Sequence, residues 1–120
     1  MRIRTVNLSR FFQIGSSEIA AVKAANLEIT EPKVIAIIGP SGSGKSTLLN
    51  LIGLNDYPTS GKIFIDDADA SQLSDRERRK IRNMRMGFVF QTFNLFPTLS
   101  ALENFGLSCI LAARPNNGGQ

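Results

Sequence analysis

The stretch Ile35-Ala36-Ile37-Ile38-Gly39-Pro40-Ser41-Gly42-Ser43-Gly44-Lys45-Ser46-Thr47-Leu48-Leu49 decides how the rest of the chain is read. An apolar β-branched run enters it, a Gly- and Ser-rich loop follows, and an apolar helix-forming run leaves it. Within it, Gly39 to Ser46 obeys the pattern G-x-x-x-x-G-K-[ST]. Glycines at those positions let successive backbone N–H groups curl around an anion, and a helix starting near Lys45 aims its positive end at the same point. The chemistry that needs these residues is phosphate binding. Pro40, Ser41 and Ser43 complete the cradle, Lys45 reaches the β- and γ-phosphates, Ser46 offers its hydroxyl to Mg²⁺, and Thr47 bonds a neighbouring phosphate. A turn that merely joined strand to helix would explain the glycines but not Lys45-Ser46 in register at the helix start.

Upstream, Val6 and Leu8 alternate with Asn7 and Ser9 in the stretch from Ile3 to Phe12, and the same period returns at Leu27 to Thr30. These are expected to be two antiparallel strands around a loop at Gly15-Ser16-Ser17, with the return strand beginning between Ile19 and Val22. Pro32 ends the second strand, and Val34 to Ile38 has the unbroken apolar character of a strand buried on both faces of a parallel sheet. Downstream, Leu48, Leu49, Leu51 and Ile52 make the next helix a core element, with Gly53 as its left-handed cap. Lys62 to Asp66 reads as a strand pairing with the N-terminal ones. Ser74 and Glu77 have the form of a capping box for a polar surface helix from about Asp75 to Asn83. Gly87 to Phe90 reads as a second apolar strand, and Ser100 with Glu103 opens a third helix expected to turn Leu102, Phe105 and Ile110 inward, with Leu107 as a further candidate.

Composition narrows the class. The chain has 120 residues, 42% of them apolar, and a formal charge of +4 from 14 Lys+Arg against 10 Asp+Glu. Arg76, Arg78, Arg79, Lys80, Arg82 and Arg85 fall in one ten-residue window without interleaved aromatics, which favours a solvated helix face or docking surface over nucleic acid. Cys109 is the only cysteine and sits among apolar residues, as in a reducing compartment. No apolar run approaches the ~20 residues that span a bilayer.

These motifs together resemble the N-terminal half of an ABC-transporter ATP-binding subunit, in the group that powers lipoprotein release, macrolide export and antimicrobial-peptide export. The matching stretches are Gly39 to Leu49, Gly53 to Gly61, and Ile81 to Asn104 with Gly87-Phe88-Val89-Phe90-Gln91-Thr92-Phe93-Asn94-Leu95. The resemblance implies an α/β phosphate-loop NTPase core with an incomplete parallel sheet and an N-terminal antiparallel β-subdomain. Residues 1–112 would be the N-terminal part of the ATP-binding domain and 113–120 a disordered tail. It further implies that Phe12, rather than Phe11, stacks on adenine where Tyr is usual, and that Gln91 is the loop glutamine that positions water and helps hold Mg²⁺. The segment around Phe93, Leu95, Phe96 and Pro97 would meet a membrane permease or pack on the neighbouring helix. The implied ligands are ATP and Mg²⁺, the implied assembly is a homodimer, and the implied place is the cytoplasmic face of a membrane. Two positions depart from the family: Pro32 replaces a turn glycine, so that turn must differ or be strained, and Asp67 replaces a hairpin glycine.

The family's signature motif, its Walker B carboxylates and its switch histidine do not occur in these residues, and the composition includes no His. The expectation is therefore an ATP-holding part of a hydrolase, not active alone. The alternatives are a non-catalytic fragment or decoy docked on a permease, and another phosphate-loop enzyme. A GTPase would need an Asn-Lys-x-Asp guanine reader, which is absent, and a small-molecule kinase has no use for the Gln91 loop. The transported substrate is not readable, because the membrane subunit selects it.

Overall fold

A computed structural model of the chain describes residues 1–89, 97–104 and 106. The chain divides into two compact units, 1–78 and 79–120.

The first unit is built on a hairpin. Strand β1 (Ile3–Ile14) and strand β2 (Ser17–Ile29) run antiparallel from Ile14↔Ser17 to Ile3↔Ile29. Their two-residue turn places Gly15 at φ 62, a conformation glycine adopts without steric cost. Strand β3 (Ser60–Ile65) pairs with the other edge of β1, as its alternation predicts, and a short β4 (Ala68–Asp69) completes the order β2-β1-β3-β4. The β3–β4 turn has Asp66 and Asp67 at φ 48 and 68, so Asp takes the left-handed place of the usual hairpin glycine. Both aspartates are anchored to Arg2: its backbone N–H donates to Asp66 and its guanidinium pairs with Asp67.

The hairpin is not regular. Between Arg10↔Val22 and Phe11↔Ala20 the register skips Ala21, and further slips follow Leu8 and Thr5. Polar side chains hold these bulges. Thr5 Oγ1 donates to the Ala25 carbonyl and accepts from Leu27 N–H, both at 3.0 Å, while Ser9 Oγ accepts from Ala24 N–H at 2.9 Å. Thr5 and Ser9 are consequently buried without an unmet bond. Among the described residues no buried side-chain polar atom lacks a partner.

Helix α1 (Lys45–Ile52) follows the glycine loop. Leu51 is fully buried and Leu54 nearly so, packing in a core that includes Leu8, Val22, Ile63, Ile65 and Ala70. Leu49, however, is 47% exposed, so α1 buries one face and is less of a core helix than its composition suggests. Its end also differs from expectation. Gly53 has φ −76, and the left-handed residue is Leu54 at φ 58, which closes a Schellman motif through Leu54 N–H to Leu51 O and Asn55 N–H to Asn50 O. Burial of the Leu54 side chain offsets the roughly 1–2 kcal/mol that a non-glycine residue loses in that conformation.

The largest correction concerns Val34 to Ile38. Residues 32–40 form no strand, Val34 and Ile38 are 101% and 91% exposed, and of the run from Val34 to Ile38 only Ile37 is half-buried. A β-branched run becomes a strand when a neighbour takes up its N–H and C=O groups; no strand among the described residues pairs with it. The turn at Pro32 differs accordingly: no residue from 30 to 38 has a positive φ.

Helix α2 (Asp75–Arg85) starts on the expected capping box, with Ser74 N–H donating to Glu77 Oε2 at 2.9 Å and Glu77 N–H to Ser74 Oγ at 3.4 Å. Arg78 is its exception. Counted in the basic surface cluster by sequence, it is buried, lies over the Tyr57 ring at 3.9 Å and donates to the carbonyls of Asp56 and Ala70. In the second unit, residues 86–89 have no strand assignment, and a helical turn at 101–104 opens on the Ser100–Glu103 capping box. Leu102 there is 80% exposed, not turned inward as expected. Phe90, Gln91 to Phe96, Phe105, Leu107, Cys109, Ile110 and the tail 113–120 lie outside the described residues.

Candidate phosphate-binding site

The loop from Gly39 to Gly44 meets the two conditions that its sequence sets. Gly42 and Gly44 take φ 80 and 92, and a Ser43 N–H to Pro40 O bond of 3.2 Å closes the turn. Gly44 is also a point of contact. A Cβ placed there would sit 1.9 Å from the Ala21 carbonyl oxygen, and Ala21 is the residue that the β1–β2 register skips. The bulge in β2 thus brings a carbonyl against the loop, and only glycine admits it.

Lys45 is half-buried at the first position of α1 and turns back over the loop. Its ammonium donates to Gly39 O at 2.6 Å, Pro40 O at 2.7 Å and Ser43 Oγ at 3.3 Å. All three protons have acceptors, and the positive charge rests inside the ring of residues that sequence assigned to phosphate. α1 has no side-chain cap at its N-terminus and no acidic residue in its first turn. Its leading N–H groups thus face no competing internal anion. Ser46 is exposed and Thr47 half-buried, and neither hydroxyl makes a hydrogen bond among the described residues. Beside the loop lies a hollow of about 380 Å³, walled by Ala21, Ile37, Pro40, Ser43, Lys45 and Leu48.

Phe12 lies on β1, paired with Ile19 of β2, and is 37% exposed; Phe11 is half-buried. Arg10 covers one side of the Phe12 ring, its guanidinium carbon 4.5 Å from the ring centroid. Arg10 is itself held by Asp56, Nε to Oδ2 2.9 Å. No spacing signal in the sequence links residues 46 apart, and only the fold joins Arg10 to Asp56. Gln91 lies outside the described residues. Among the described residues no group of three or more His, Cys, Asp or Glu could hold a metal ion.

A glycine loop at an uncapped helix start, beside an antiparallel hairpin that carries a part-exposed aromatic ring, is the arrangement of the phosphate-loop class of protein. Residues 22–118 match the family model described as ABC transporter, and the chain belongs to that family. It is 46% identical over 118 residues to an uncharacterised ABC transporter ATP-binding protein of Methanocaldococcus jannaschii, covering 98% of this chain and 50% of that one. It is 40% identical over 109 residues to the lipoprotein-releasing system ATP-binding protein LolD of Paramagnetospirillum magneticum, covering 91% of this chain and 48% of that one. Among solved structures, the dimeric post-hydrolysis state of the ATP-binding cassette MJ0796 bound to ADP and Pi superposes with TM-score 0.88 at 45% identity, covering 98% of this chain and 50% of that one. The fold class is therefore that of the ABC ATPase cassettes, and the antiparallel sheet is its N-terminal subdomain. The chain spans about half the length of the relatives it matches. No helix among the described residues is long and apolar enough to cross a membrane.

Proposed function

We propose that the chain binds ATP with Mg²⁺ through Gly39 to Thr47, Phe12 and Gln91, as the nucleotide-holding part of the ATP-hydrolysing subunit of an ABC-type exporter. Residues 1–112 form the N-terminal part of that ATP-binding domain. The observation that supports this most directly is the Lys45 ammonium turned into the loop, 2.6–2.7 Å from its carbonyls, at the start of an uncapped helix. Phosphate oxygens are stronger acceptors for an ammonium than loop carbonyls, so Lys45 exchanges partners with little side-chain movement. The loop N–H groups and the α1 N-terminus hold the same oxygens, Thr47 bonds a neighbouring phosphate, and Phe12 offers its exposed ring to adenine. Mg²⁺, when bound, neutralises phosphate charge, with the Ser46 hydroxyl and the Gln91 amide as the chain's own donors. In the whole protein two copies form a homodimer that works with a membrane permease from the cytoplasmic side, and the segment from Phe93 to Pro97 meets the permease.

Titration of the chain with ATP and Mg²⁺ by calorimetry tests the reading. Binding that Lys45→Ala abolishes is expected, with no ATP turnover by these 120 residues, since they supply no carboxylate to orient the attacking water. Absence of binding, or binding indifferent to Lys45→Ala, would refute it.

A further inference from the structure

Arg10 is the element of the site region that the phosphate-binding reading leaves without a task. It is a half-buried cation on β1, and both of its contacts are directional. Its Nε donates to Asp56 Oδ2 at 2.9 Å, and its guanidinium lies 4.5 Å from the centroid of the Phe12 ring. Asp56 is in turn fixed from three sides: its other carboxylate oxygen accepts from Tyr57 N–H at 2.8 Å, its carbonyl accepts from the buried Arg78, and its N–H donates to Asn50 O at 3.3 Å. The guanidinium is thus an anchored plate rather than a solvated arm. In a strand, residues two apart share a face, so β1 itself places Arg10 beside Phe12.

The same hairpin ties the ring to the phosphate loop. Phe12 pairs with Ile19, and Ala21, two residues further along β2, is the bulged residue whose carbonyl abuts Gly44. Two strand residues span about 7 Å. Ring and loop therefore stand on one short rigid spacer.

We infer that Arg10, locked by Asp56, is a positioning residue for the nucleotide base: it backs one side of Phe12 and holds the ring upright, so that a purine stacks on the ring's exposed part. This rests on the proposed ATP reading and deepens it. An aromatic ring 37% exposed at a strand position would otherwise sample several rotamers and lose affinity when it orders. A guanidinium on one side fixes the ring by a cation–π contact before the base arrives. The residues proposed above to hold the phosphates, Gly39 to Thr47, do not include Arg10, so the effect is expected on the base alone.

The test compares ATP with inorganic tripolyphosphate, both with Mg²⁺, by calorimetry on the full chain. Arg10→Met is expected to weaken ATP binding about three- to tenfold, the scale of a surface cation–π contact together with ring ordering, and to leave tripolyphosphate binding unchanged. Asp56→Asn, which keeps the side chain's shape, gives a smaller loss in the same direction, and circular dichroism identical to the parent shows that each variant is folded. Phe12→Ala sets the full size of the base term, and Lys45→Ala weakens both ligands. If Phe12→Ala loses ATP affinity while Arg10→Met and Asp56→Asn do not, the positioning role is overturned and the base platform stands. If Arg10→Met weakens both ligands equally, Arg10 acts through general stability or charge and the inference also falls. If Phe12→Ala leaves ATP binding intact, the platform itself is wrong and the positioning role goes with it.

Discussion

At the scale of single residues, Gly44 shows how one backbone position serves two constraints. Its φ of 92 opens the helix start, and its missing Cβ admits the Ala21 carbonyl, which a methyl group would meet at 1.9 Å. Gly42 shares the positive φ, at 80, but has open space where a Cβ would go. The two therefore separate conformational strain from steric exclusion. Gly42→Ala is expected to destabilise the chain by about 1–2 kcal/mol, the cost of a left-handed alanine. Gly44→Ala is expected to cost about 2–4 kcal/mol, because overpacking against β2 adds to the same strain. Urea unfolding monitored by circular dichroism checks the order, and equal midpoints for the two variants would contradict it. The need for glycine at Gly44 was legible in the motif, whereas Gly42 falls on one of its unspecified positions and its positive φ is a finding of the structure. The identity of the atom that excludes a side chain at Gly44 was not legible, because the bulge at Ala21 arises from register slips between strands, and those have no local sequence signature.

At the scale of elements, the capping boxes were the most legible features, since each depends on residues only three apart. Ser74 holds the Glu77 carboxyl below the usual carboxylate range, first through its hydroxyl and then through its N–H. Ser100 does the same for Glu103, there mainly through its backbone N–H. A carboxylate whose folded pKa is depressed stabilises its helix above the ordinary value and loses that contribution as pH falls through the lowered one. The α2 N-terminus is therefore expected to fray as pH drops below the ordinary carboxylate value of 4.5. Carboxyl-carbon NMR titration of Glu77 should give a midpoint below that value, returning toward it in Ser74→Ala; a midpoint unaffected by the substitution would show that Ser74 does not hold the carboxylate. Other element properties were hidden. The left-handed residue that ends α1 is Leu54 because that side chain can enter the core, and Arg78 leaves the basic face of α2 because Asp56, Tyr57 and Ala70 offer acceptors and a ring. Both outcomes depend on partners distant in sequence.

At the scale of the whole molecule, the antiparallel strands pair with one another while the run leading into the phosphate loop finds no partner strand among the described residues. Val34 and Ile38 are exposed almost completely, and Ile35 and Leu49 by 41% and 47%. Apolar side chains and unpaired backbone groups in one stretch favour association and dye binding. The chain is expected to enhance the fluorescence of a hydrophobic dye at micromolar concentration, and a Val34→Glu/Ile38→Lys double variant to reduce that signal without changing the β-sheet circular dichroism. An unchanged signal in the variant would place the sticky surface elsewhere.

Taken by itself, the sequence determined the phosphate-loop motif, the hairpin and β3, the capping boxes and the resemblance that the family match bears out, because each depends on periodicity or on residues within a few positions of one another. The tertiary structure alone decided that Ala21 touches Gly44, that Arg10 is locked by Asp56 against Phe12, that Arg78 is buried, and that residues 32–40 form no strand. These depend on which surfaces meet. A β-branched run states only that it can pair; a partner strand at its edge decides whether it does.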